Sequence, residues 1–219
     1  MCFNPEASLF AFSIGFVSWI ILLYLKIYNA AIIVMYLYIM QLLEYFAHTS
    51  IITKNEFMNI ITSKLIYIFV VLQPLLYYVS TFFTKTKYLF KWANNYLFLL
   101  PIYIVYSIFF YIYLNNKNLF KTTYLNDSCK SICRMSWDFL GYNKILSIIG
   151  FILYLCICII FWKPGTLHYY AEILFIVSMI YTVFLSRDLK KIFSIFGSIW
   201  CFLAVTYGPF IIIKNYFKY

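Results

Sequence analysis

The chain has 219 residues, of which 65% are hydrophobic, and a mean hydropathy of +0.87. Soluble domains are about 45–50% apolar, so this chain has too little polar surface to cover itself in water. Seventeen basic residues against seven acidic ones give a net charge of +10. The basic residues fall between apolar runs and form no recognition stripe, so the expected partner is the lipid bilayer with its anionic headgroups and not nucleic acid.

The pattern predicts an all-α fold: a polytopic membrane bundle of seven transmembrane helices in a single domain, residues 1–219. Asn4-Pro5-Glu6 is a helix start, with Asn as cap, Pro at the first helical position and Glu at the positive end of the dipole. No basic run precedes the apolar stretch and no small-residue cleavage site follows it. It reads as span one, Ala7–Leu25, and not as a signal peptide. Ser8, Ala11, Gly15 and Ser18 share one face, which lets a neighbouring helix approach closely.

Span two, Ala30–Ile52, carries Gln41, Glu44 and His48, three and four residues apart and so on one face. Ionisable groups are costly in hydrocarbon and turn toward a protein interior or a water-filled cavity. Glu44 reads as a proton relay, a cation site or a ligand-binding carboxylate, with Glu6 and Ser8 near the same side. The alternative is a hydrogen-bonded cluster that fixes helix packing.

Lys54-Asn55-Glu56 forms a loop, and span three is Leu65–Phe83, with Gln73-Pro74 near its middle. Pro74 removes one backbone bond, which predicts a kink. Span four is Asn95–Leu114, with Pro101 near its start. Residues 115–143 form the one long extramembrane loop. Spans five, six and seven are Lys144–Trp162, Thr166–Ser186 and Ile192–Ile213. Span six carries His168 and Glu172; Glu44, Gln73 and Glu172, at successive depths, could line one pathway.

Seven spans put the termini on opposite sides. Ten basic residues (Lys54, Lys64, Lys117, Lys121, Lys130, Arg134, Lys144, Arg187, Lys190, Lys191) fall on the N-terminal side and seven (Lys26, Lys85, Lys87, Lys91, Lys163, Lys214, Lys218) on the other. That favours a cytoplasmic N-terminus. Against it, Asn126-Asp127-Ser128 is a glycosylation sequon on the same side as Cys2, Cys129 and Cys133. Cys2 could join a loop cysteine in a disulfide if that side is oxidising; otherwise all three are free thiols. Orientation stays open.

Cys129 and Cys133 lack the second ligand pair of a zinc site, and the two histidines fall near opposite faces, too far apart to share a haem. No metal and no cofactor are expected. No nucleophile and base stand at a recognisable spacing, so enzyme activity is not expected either.

The N-terminus Met1-Cys2-Phe3-Asn4-Pro5-Glu6-Ala7-Ser8 resembles that of an uncharacterised seven-helix membrane family of giant DNA viruses and some protists. Its members begin Met-Cys-[Phe/Trp]-Ser-x-x-x-Ser and continue with Gln-x-x-Glu in span two and Gln-Pro in span three. Here these are Gln41 to Glu44 and Gln73-Pro74, while Asn4 stands where Ser is commoner. The resemblance covers the whole chain. It implies an integral membrane protein, with a giant virus as one source, and it brings no activity with it.

The expected function is therefore a channel or transporter for protons or small cations. The alternatives are a ligand-sensing protein that moves nothing and a structural or assembly protein of a viral or host membrane. The substrate, the organelle and the oligomeric state stay open.

Overall fold

The computed structural model describes residues 4–83, 94–124, 135–141, 143–162, 168–185 and 205–217. It is mostly helical. In chain order the elements are α1 (Pro5–Tyr24), α2 (Tyr28–Ile52), α3 (Glu56–Thr81), α4 (Leu99–Asn116), β1 (Thr122–Tyr124), β2 (Met135–Trp137), α5 (Asp138–Gly141), α6 (Lys144–Trp162), α7 (His168–Leu185) and α8 (Tyr207–Tyr216). Among the described residues, α1 to α4 are each long and apolar enough to cross a bilayer. Large apolar side chains stand outward on them, with Phe10, Val17, Val105 and Phe109 all exposed. In water such a surface would be unusual; against acyl chains it is the expected one.

The start of α1 forms as its residues dictate. Asn4 is the N-cap, Ala7 N donates to Asn4 Oδ1 at 2.7 Å, and Pro5 opens the first turn. Ser8, Ala11, Gly15 and Ser18 are all buried. A Cβ added at Gly15 would lie 2.5 Å from the Cβ of Tyr38, so α1 and α2 touch backbone to backbone there. The Tyr38 ring turns aside from this contact and packs edge-on to Phe12 and Phe16. Gly208, at the start of α8, fits between Ser18 and Val34 in the same way.

α3 begins at Glu56, well before the expected Leu65. Asn55 caps it, accepting from Met58 N at 3.0 Å, and the preceding turn is closed by Lys54 at a positive φ of 54°. The early turns look like loop because they carry Asn59, Thr62 and Ser63; these polar residues are buried and serve a local purpose described below. The helix runs on through Pro74. Pro101 sits in the first turn of α4, where a missing N–H costs nothing.

The expected long loop, residues 115–143, contains secondary structure. Its described parts pack inward as a two-stranded antiparallel hairpin in which Thr122 pairs with Trp137 and Tyr124 with Met135. Phe120, Met135, Trp137 and Phe139 are buried, and Phe120 and Phe139 pack on Tyr67 of α3. A helix, α7, occupies most of the residues of the expected span six. For span seven only α8 is described, with residues 186–204 outside the described set.

Candidate functional site

The polar face of α2 is turned fully inward: Gln41, Glu44 and His48 are each 0% exposed. Gln41 Nε2 donates to Glu44 Oε2 at 3.0 Å, one helical turn apart. A hydrogen bond of this kind offsets part of the cost of placing a carboxyl group away from water. His48, about 6 Å further along the helix, has its Nδ1 3.1 Å from the Tyr124 hydroxyl of the hairpin.

The hairpin thus covers the His48 end of the bundle, and its alternation explains how. Thr122 and Tyr124 point to the helices: Thr122 Oγ1 lies 2.7 Å from Ser63 Oγ, and Tyr124 reaches His48. Thr123 and Ser136 point the other way, and both hydroxyls donate to the Asp138 carboxylate at 2.8 Å. Asn59 of α3 closes the edge of β1. Its Nδ2 donates to Thr122 O at 3.0 Å, its Oδ1 accepts from Thr122 N at 3.0 Å, and Nδ2 also donates to Ser50 Oγ at 3.1 Å. A side-chain amide here does what a neighbouring strand would do. Burial pushes the Tyr124 phenol and the Asp138 carboxyl above their ordinary values; for Asp138 this outweighs the Ser136 and Thr123 hydroxyls and the Lys121 charge.

A second polar group lies toward the other end. Gln73 is 1% exposed. Its Oε1 accepts from the hydroxyls of Tyr36 at 3.2 Å and Tyr154 at 2.5 Å, and its Nε2 donates to the Tyr77 hydroxyl. Tyr36 is on α2, eight residues before Glu44 and so about 12 Å along the axis. Gln73 therefore ties α2, α3 and α6 together. In the sequence these tyrosines carry no site signal, because an aromatic in an apolar run looks like core.

The other sequence-derived candidates separate. Ser8 is buried at 0% exposure and its Oγ has no hydrogen-bond partner among the described residues. Glu6 stands exposed in the first turn of α1, where the helix dipole accounts for it, and it does not join the buried group. Glu172 lies on α7, but its side chain is outside the described residues, so a path through Glu44, Gln73 and Glu172 is seen only in its first two members. Cys2, Asn126, Cys129 and Cys133 also lie outside the described residues. No group of three or more His, Cys, Asp or Glu side chains is placed to hold a metal among the described residues.

No protein-family model, no curated protein and no solved structure matches the chain.

Proposed function

We propose that the chain is a seven-span membrane protein whose interior moves a proton or a small cation across the bilayer, with Glu44 as the central group. One observation carries this reading: a carboxyl group with no solvent exposure, set in an apolar helix and hydrogen-bonded to Gln41. Such a group is expensive in a membrane interior, and function is the common reason for its presence. The Gln73 group supplies further polar atoms about 12 Å along α2 from Glu44, counted from Tyr36.

The test is a flux assay in proteoliposomes. The wild type is expected to dissipate an imposed proton or cation gradient, and Glu44→Gln, which keeps the shape and removes the charge, is expected to lose that flux. Equal flux in both proteins removes Glu44 from the mechanism.

A second reading is favoured by the convergence of three phenols on Gln73. Polar networks of that kind also fix the arrangement of helices without moving anything. Under this reading the protein senses a ligand or builds a membrane assembly. Glu44→Gln would then change abundance or oligomeric state, with no ion flux in either protein.

A further inference from the structure

Lys64 of α3 is a half-buried cation in an apolar setting. Ile60 and Ile68, one turn before and after it on the same face, are exposed, as are Ile61 and Leu65. Its Nζ stands 5.8 Å from the centre of the Phe120 ring, which is itself buried. Among the described residues Lys64 has this ring contact but no ion pair. Asp138 is engaged elsewhere, by the Thr123 and Ser136 hydroxyls and the Lys121 charge. Glu56 lies eight residues before Lys64, about 12 Å along the helix. A cation at the edge of hydrocarbon is costly, and an anion that meets it there removes much of the cost.

The contacts of α3 with the chain that follows run in reverse order. Tyr78 Oη donates to Asn94 Oδ1, the Tyr67 and Tyr111 rings lie 5.8 Å apart, and Ser63 meets Thr122. So α3 and α4 are antiparallel, and Lys64 sits where α4 gives way to the hairpin. Lys117 and Lys121, three residues before and one after Phe120, are exposed there. Toward the middle of the bundle the surface turns apolar. Ile68 of α3 is exposed, and so are Ile104 and Ile108 on the Tyr111 face of α4; the Tyr111 ring packs on Phe120 at 5.1 Å. Positive charge at the end with an apolar track beneath it matches a phospholipid, phosphate above and acyl chains below. We infer that Lys64, on its Phe120 platform, holds the phosphate of one anionic phospholipid at the α3–α4 junction. Lys117 and Lys121 add attraction, and the acyl chains lie along Ile68, Ile104 and Ile108. A soluble phosphate offers the same anion but nothing to cover the apolar track. The site is separate from Glu44 and does not rest on the transport reading.

The test uses the full chain in detergent micelles doped with phosphatidylglycerol or phosphatidylcholine. Phosphatidylglycerol is expected to raise the melting temperature more than phosphatidylcholine does. Glycerol phosphate, which has the anion without the acyl chains, is expected to raise it little. A net charge of +10 would by itself favour anionic lipid, so two variants of equal charge separate the site from the general field. Lys64→Gln should weaken the apparent affinity for phosphatidylglycerol by about tenfold. Lys54→Gln, at an exposed turn, should weaken it by about twofold at most. Lys64→Arg, which keeps the charge and offers phosphate a fork of donors, should bind as the wild type does. The site is overturned if the two Gln variants lose equally, if phosphatidylcholine stabilises as well as phosphatidylglycerol, or if glycerol phosphate stabilises as well as the lipid. Should Lys64→Gln fail to fold, the unaltered protein decides the matter. Phosphatidylglycerol with a photoreactive headgroup is expected to label α3 around Lys64, and labelling that spares this stretch overturns the site.

Discussion

Asn59 and Thr122, 63 residues apart, are joined by a two-way hydrogen bond: the Asn59 amide satisfies both the N–H and the C=O of Thr122, each at 3.0 Å. This is how a hairpin of three-residue strands is held at the end of a helix bundle. Its free edge meets a side chain that offers the same donor and acceptor as a strand would.

Asn59→Leu keeps the forked outline of the side chain and removes both partners. Two buried backbone groups then go unsatisfied, and the expected cost is about 2–5 kcal/mol. Thermal unfolding in detergent measures it. Asn59→Asp retains the acceptor for Thr122 N but not the donor for Thr122 O, and should fall between wild type and Leu.

The α1–α2 contact is set by Gly15. Gly15→Ala brings a Cβ to 2.5 Å from the Tyr38 Cβ, and the helices must part. The expected loss is about 1–3 kcal/mol. The clash is with Cβ and not with the ring, so Tyr38→Ala does not rescue Gly15→Ala, whereas Tyr38→Gly does so in part. The comparison of the two double variants by thermal unfolding checks this directly.

Gln73→Leu takes the acceptor from the Tyr154 and Tyr36 hydroxyls and the donor from Tyr77. The expected destabilisation is about 1–3 kcal/mol for each hydroxyl left without another partner, and it should appear as loosened packing of α6 on α3. Hydrogen exchange in α6 reports it. Gln73→Glu, which keeps an acceptor, should cost less than Leu in acid, where the carboxyl is neutral.

Asp138 gives a pH dependence with a definite sign. Its folded carboxyl holds a proton to higher pH than the ordinary 3.8, because burial outweighs its hydrogen bonds and Lys121. The folded state therefore binds more protons than the unfolded one between 3.8 and the raised folded value. Its contribution is most favourable in acid and is lost as pH rises through that window. Asp138→Asn removes the titration. The difference in melting temperature between variant and wild type should grow in favour of Asn as pH rises from the acid end, then level off.

The parts of the fold that were legible are those governed by one helix at a time. Asn4, Pro5 and Glu6 signalled the start of α1, its small residues marked a close contact, and the spacing of Gln41, Glu44 and His48 marked a buried face. The early turns of α3 were missed because Asn59, Thr62 and Ser63 read as loop when their partner, Thr122, is far off in the chain. The hairpin was missed for the same reason, since strands of three residues have no period to read. Depth alone places Glu6 with Glu44, and depth does not say which way a side chain points.

The central claim is that the Glu44 carboxyl, though sheltered from lipid and bulk solvent, exchanges its proton with water. Infrared difference spectra of the reconstituted protein, with the Glu44 band assigned by its absence in Glu44→Gln, follow that carboxyl directly as the external pH is stepped. The protonated-carboxyl band is expected to rise in acid and fall in alkali, reversibly. A Glu44 band that stays unchanged across the whole pH range at which the protein remains folded would contradict it.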